Sequence, residues 1–480
     1  MDIRIQYPEY RKTQHLDELR ATQYRYLDDQ GHVYLDYTGA GLASTAQHRA
    51  REQRLASATF GNPHSMNPTS QSSTDLIEQT RQRILEHMNA SPAEYAVIFA
   101  PNATGAARLV GESYPFTRHS RLVLTQDNHN SILGLREFAR HAGAKTCHVP
   151  ARAPDLRIDT TAMSASLPRP KRCGFSPASR CLLAYPAQSN FSGVRHPLSW
   201  IKLAQKRGYD VLLDAAAYLP TAELDLSTVK PDFVLVSWYK LFGSPTGVGC
   251  LIARHSALAR LRRPWFSGGT IQAVTVGFPW HEMATDESAF EDGTLNYLSI
   301  PDVSIGLDIL SSIGISTIGT RVRCLTGWCI DRMQAILHGD GSPVVRLYGP
   351  TGTQGRGGTI AFNLLDAHGK VVDERIVGRE SAAAGISLRT GCFCNPGAGE
   401  VALGVTADAI RRATIAKAKA GQIDPARFFS LLRLPTGGAI RISFGIASNT
   451  ADVDFFIAFV AKTYCDRVTT SEGLEPRGGC

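Results

Sequence analysis

Short apolar runs rich in branched and aromatic residues recur along the chain and stop at polar or turn residues. Residues 95–100, 121–125, 181–185, 211–213 and 233–236 have this form and predict buried strands, continuous in apolar character rather than alternating. An earlier strand is expected at 32–37, where HVYLDY runs into the turn residues Thr38 to Gly41. Helical stretches fall between and after them: AARLVGES behind the 95–100 strand, PDVSIGLDILSSIGI from Pro301, and 450–464, with Val453, Phe456, Ile457 and Val460 on one face. Roughly seven strands with intervening helices predict an α/β fold, a doubly wound, mainly parallel sheet. Residues 150–180 are rich in Pro, Arg and Ser and read as a loop-rich excursion. GTQGRGGTIAFNLL, at 352–365, lacks the order of a nucleotide-binding loop and reads as a turn feeding a strand. The expected organisation is a polar segment over 1–30, a large domain over 31–313, a smaller C-terminal α+β domain over 314–465 and a disordered tail over 466–480.

At 480 residues the chain exceeds what one core usually serves, consistent with two domains. Hydrophobic content of 43% and charged content of 20% are those of an ordinary globular protein. A formal charge of +8 is mild and dispersed, so no basic stripe suggests nucleic acid as a partner. No run of about eighteen apolar residues occurs, and the first twenty residues are too polar for a signal peptide; the expectation is no membrane association and a cytoplasmic location. Ten cysteines lie scattered, and Cys147, Cys173, Cys181, Cys250, Cys324, Cys329 and Cys465 read as free core thiols. CxxC pairs and HExxH are absent, so no metal site is expected.

Two polar groups stand at the carboxyl ends of predicted strands, Asp214 after 211–213 and Lys240 within Ser237-Trp238-Tyr239-Lys240 after 233–236. In open α/β sheets those ends form the ligand crevice. An amine that can condense with an aldehyde and a carboxylate that keeps a pyridine nitrogen protonated are what pyridoxal 5'-phosphate requires. On their own, a helix cap and a solvated charge would explain both residues. The surrounding stretch, DAAAYLPTAELDLSTVKPDFVLVSWYKLFGSPTGVG at 214–249, resembles the core of class V aminotransferase-fold enzymes of the cysteine desulfurase group. It looks most like the version in the eukaryotic molybdenum cofactor sulfurases, and Tyr239, where bacterial desulfurases carry His, favours that group.

The resemblance implies pyridoxal-phosphate fold type I and roles for further residues. Thr104, with the backbone of 103–105 at a helix start, would cradle the phosphate, and Ser237 would be a second ligand. Gly269 and Thr270, in FSGGT, would reach the phosphate of a neighbouring subunit, implying a homodimer. His129 would stack on the ring and move a proton, Asn190 would lie beside the phenolic oxygen, and Arg441 would clamp the substrate carboxylate. In LRTGCFCNPGAG, Arg389, Gly391 and Cys394 match the R-x-G-x-x-C of desulfurases, making Cys394 the candidate nucleophile. Cys392, two residues earlier and pointing in a similar direction, is the alternative.

The implied function is a cysteine desulfurase or sulfurtransferase. It would take sulfur from L-cysteine as a Cys394 persulfide, release alanine and pass the sulfur to the molybdenum cofactor or a carrier protein. Two departures leave the acceptor open: Gly399 replaces a third cysteine of that group, and no cofactor-binding domain follows before Cys480. The alternatives are a C–S lyase or aminotransferase-like relative, a non-catalytic relative, or a redox sensor using Cys392 and Cys394.

Overall fold

The computed structural model describes residues 2–63, 65–170, 180–420, 431–432, 436–470 and 473–474. After a short strand β1 (Val33–Tyr34), seven strands build the central sheet. They are β2 (Tyr95–Ala100), β3 (Arg121–Thr125), β4 (Lys145–Val149), β5 (Cys181–Pro186), β6 (Tyr209–Asp214), β7 (Phe233–Ser237) and β8 (Gly249–Arg254). Their order is β2-β8-β7-β6-β5-β3-β4. All neighbours run parallel except β8, which is antiparallel to β2 and β7.

Both faces of this sheet are covered. Val97, Val123, Leu183, Leu213 and Val236 enter one apolar cluster, while Ile98, Leu122, Leu182, Leu212 and Leu235 enter another on the opposite face. Burial on both sides explains why the strands read as unbroken apolar runs. In β6 and β7 it leaves the polar residues near the strand ends, which is where Asp214 and Ser237 stand.

An exposed hairpin follows, β9 (Ile271–Thr275) and β10 (Trp280–Met283). Helix Asp302–Ile313 then turns by 71° into helix Ile315–Gln334. The corner is Gly314, whose φ of 85° suits glycine. Beyond it, β11 (Val345–Tyr348), β12 (Thr359–Leu364), β14 (Arg389–Gly391) and β15 (Ala439–Ser443) form an antiparallel sheet in the order β11-β12-β15-β14. A two-residue strand β13 (Ile386–Ser387) lies outside it.

Several features differ from the sequence reading. β1, placed with the large domain by chain order, pairs in parallel with β13, and Asp36 bridges to Ser443; its hydrogen bonds go to the smaller unit. β4 and β8 were not anticipated, because KTCHV carries polar residues on an edge strand and GCLIAR begins with the glycine that marks a turn. The 150–180 excursion contains a helix, Thr160–Ala165, anchored by the buried Met163. Residues 171–179, with Cys173, and most of the tail lie outside the described residues. No single helix among the described residues is long and apolar enough to cross a membrane.

Candidate active site

Lys240 sits in the short helix Trp238–Phe242, directly after β7, and Asp214 ends β6. Parallel pairing of β6 with β7 brings the two side chains to one pocket, which Thr104, His129, Gln188, Asn190 and Ser237 also line. Burial pushes the Lys240 ammonium below its ordinary pKa, and Asp214 opposes that shift. One Asp214 oxygen accepts the Ala216 N–H at 3.0 Å. His129 accepts the Ser131 N–H on Nδ1 at 3.1 Å, so in the neutral ring the proton resides on Nε2. Burial lowers the His129 pKa, again with Asp214 opposing.

The phosphate end is built from the helix Ala103–Ser113. Asn102 accepts the Gly105 N–H at 2.9 Å, so Gly105, expected among the phosphate donors, is already engaged. The N–H groups of Ala103 and Thr104 remain, together with the Thr104 hydroxyl, 2.7 Å from that of Ser131. Ser237 precedes the Trp238–Phe242 helix without bonding it through its side chain. Gly249 lets β8 lie against this turn: a Cβ there would come within 2.7 Å of the Asn102 backbone. Amine, carboxylate, imidazole and hydroxyl-lined helix start fit pyridoxal phosphate.

The Cys394 loop closes on this pocket from the smaller sheet. Phe393 and Cys394 take consecutive left-handed conformations, φ 55° and 53°, uncommon for residues with side chains. Three contacts hold them: the Asn130 N–H donates to the Cys394 carbonyl at 2.7 Å, Asn190 Nδ2 to the Phe393 carbonyl at 2.8 Å, and Asn395 Nδ2 to the Asp127 carbonyl at 2.6 Å. Cys394 is exposed, while Cys392 is half-buried. Asn190, expected to serve a ring oxygen, thus commits one amide hydrogen to this loop and keeps one for the pocket. Gln188, in the polar cluster 188–190, is a second amide there.

Arg441 lies buried beneath the loop, its guanidinium 4.8 Å from the Phe393 ring centre. It donates to the Asn190 carbonyl at 3.0 Å and to Asp36 at 2.9 Å, and its Nε is buried without a partner. Arg389 is in register directly opposite Arg441 across β14 and β15. Two like charges so placed repel, and Asp36 resolves the conflict by also accepting from Arg389 at 2.7 Å. Sequence reasoning passed over Asp36; the available signal was an acid ending a short apolar strand, followed by Gly39, where a Cβ would come within 2.4 Å of the Asp36 carboxylate. Gly269 and Thr270 are not brought to the pocket within one chain: the buried Thr270 hydroxyl donates to its neighbour, the Ser267 carbonyl, at 2.9 Å. Among the described residues no group of three or more metal-ligating side chains converges.

The family model for "Aminotransferase class-V" matches residues 33–456, so both units and the pocket between their loops fall inside it. The chain belongs to the class V aminotransferase family. Among curated relatives it is 34% identical over 484 residues to a molybdenum cofactor sulfurase of Arabidopsis thaliana, covering 94% of this chain and 58% of that protein. It is 35% identical over 470 residues to the Homo sapiens molybdenum cofactor sulfurase, covering 93% and 51%. The chain therefore spans little more than half the length of these curated relatives. A solved cysteine desulfurase from Thermococcus onnurineus superposes with a TM-score of 0.75 at 20% identity, covering 93% of this chain and 97% of that one, which establishes the same fold.

Proposed function

We propose that this class V member is a pyridoxal-phosphate-dependent cysteine desulfurase that leaves the sulfur of L-cysteine as a persulfide on Cys394. The observation that carries the reading is the placement of Cys394, exposed, on a strained loop whose backbone is tied to the residue after His129 and to Asn190 beside Lys240. Pyridoxal phosphate, when bound, withdraws electrons from the substrate's α-carbon so that bonds there and at the β-carbon can break. Thr104, Ser237 and the first N–H groups of the Ala103–Ser113 helix would hold the phosphate, and the Asp214 carboxylate would keep the ring nitrogen protonated. Lys240, with an amine that burial makes easy to deprotonate, would hold the aldehyde and serve as the base at the substrate carbon. Arg441, with its free Nε–H, takes the substrate carboxylate.

The net reaction balances without an oxidant. The Cys394 sulfur forms an S–S bond to the substrate sulfur as the C–S bond breaks, the carbon gains a proton, and alanine leaves. A second copy completes the site in this reading: Gly269 and Thr270, beside an exposed hairpin bearing Val276 and Phe278, reach the neighbour's phosphate. The persulfide then passes to the molybdenum cofactor or a carrier protein. The free thiols of Cys147, Cys181, Cys250, Cys324, Cys329 and Cys465 suit a reducing, cytoplasmic setting.

The test is a visible spectrum of the purified protein before and after L-cysteine, with alanine and protein-bound persulfide assayed together. Lys240→Ala is expected to lose the yellow chromophore, and Cys394→Ala to keep it while forming no persulfide. Pyruvate in place of alanine would redirect the reading to a C–S lyase. Persulfide lost in Cys392→Ala but retained in Cys394→Ala would move the nucleophile to Cys392.

A further inference from the structure

Outside the catalytic pocket, one cavity carries positive charge with no carboxylate on its wall among the described residues. It lies between the first turn of helix Ile315–Gln334 and the glycine-rich loop 353–357, with a volume of about 410 Å³, and Arg195, Arg323 and Arg356 line it without any Asp or Glu. Arg356 is 5% exposed, and its guanidinium donates only to carbonyl oxygens, those of Ser192, Pro350, Gly357 and Thr359. Arg195 donates to Gln188 Oε1 at 3.0 Å and to Thr221, again without a carboxylate. Burial lowers the pKa of both, that of Arg356 to about 10 with the nearby Arg157 adding to the shift, and no carboxylate opposes either.

Buried guanidinium groups are ordinarily paired with an anion, because desolvating an unpaired charge is costly. The geometry supplies the other half of an anion site. Ser316 and Thr320 place hydroxyls on the wall from the first turns of a twenty-residue helix, whose start at Gly314 has no side-chain cap. Unsatisfied N–H groups and the helix dipole at such a start favour negative charge. The loop is held open by backbone pairing: the Gly357 N–H donates to the Gly193 carbonyl at 2.8 Å and the Arg195 N–H to the Gly355 carbonyl at 3.0 Å.

We propose that this cavity binds a phosphate-bearing small molecule, at a site distinct from the Thr104–Ser237 cradle. It is not remote from the chemistry: Gln188, which Arg195 holds, also lines the Lys240 pocket, and Gly357 lies so close to Gln188 that a Cβ there would come within 2.0 Å of Oε1.

Inorganic phosphate and pyrophosphate are the probes, titrated calorimetrically into protein saturated with pyridoxal phosphate, so that the catalytic cradle is filled. Saturable binding that weakens with salt is expected, and Arg323→Gln, at an exposed helical position, should reduce the affinity about tenfold, or 1.4 kcal/mol. Arg323→Glu places a carboxylate at the cavity; it should raise the melting temperature in phosphate-free buffer and abolish the further rise that phosphate gives wild type. No saturable heat with either probe, or equal binding in Arg323→Gln and wild type, would overturn the proposal, and so would a phosphate response in Arg323→Glu that matches wild type. None of these readouts depends on desulfurase activity.

Discussion

At the scale of single residues, the site accepts groups that a purely structural core would reject. Lys240 is half-buried, and its pKa sits below the ordinary 10.5 because desolvation outweighs the pull of Asp214. The unfolded chain therefore holds that proton more tightly than the folded one, so Lys240 lowers stability progressively as pH falls from 10.5 toward its folded value. In cofactor-free protein, Lys240→Met should gain on wild type as pH falls below 10.5 in urea denaturation. An advantage that does not change with pH would mean the lysine is not desolvated. His129 follows the same sign from its ordinary 6.5: stability present above that pH is lost as acid protonates the unfolded chain first. His129→Gln should flatten the fall in stability below pH 6.5, measured as the wild-type minus variant difference.

At the scale of elements, paired strands and helix starts set the geometry, and small changes to their fit are felt at the site. Asp36 joins β1 to β14 and β15 through Arg389 and Arg441, and removing its charge leaves two arginines opposed across the sheet. Asp36→Asn should cost about 3 kcal/mol, near the lower end for a broken buried pair because Arg389 is half exposed and screened. It should also raise KM for L-cysteine more than it lowers kcat, since Arg441 loses the partner that orients it. Gly249→Ala tests the phosphate cradle in the same way: the added methyl presses on Asn102 and Ala103, and an expected loss of about 1–3 kcal/mol would appear as weaker retention of the visible chromophore. The strands that carry Asp214 and Lys240 were legible because double-sided burial writes a continuous apolar run. Asp36 was not, since its importance arises from pairing with residues more than 350 positions away, to which no local period points.

At the scale of the molecule, the smaller sheet brings Cys394 and Arg441 to a pocket built at the strand ends of the larger one, held there by contacts to Asn130, Asn190 and Asp36. The pairing of β1 with β13 was not readable in the sequence, because a two-residue strand has too little pattern to choose a partner. The chain alone leaves Thr270 pointing into its own turn, and Val276 and Phe278 stand in solvent on the adjoining hairpin. Exposed apolar residues on a protruding arm call for a cover, and a two-fold pair would place each arm against the other copy. Phe278→Asp should then lower the mass seen in sedimentation velocity toward that of a monomer and loosen cofactor retention together. Mixing experiments separate a shared site from a merely structural Thr270. Lys240→Ala and Thr270→Val copies, unfolded and refolded together, form mixed pairs in which one of the two sites has every residue intact, so activity should recover to as much as about one quarter of wild type. Refolding each variant by itself should yield none of that recovery. If the mixture only averages the two separate preparations, Thr270 acts within its own chain and the shared-site reading fails, even where the protein sediments as a dimer.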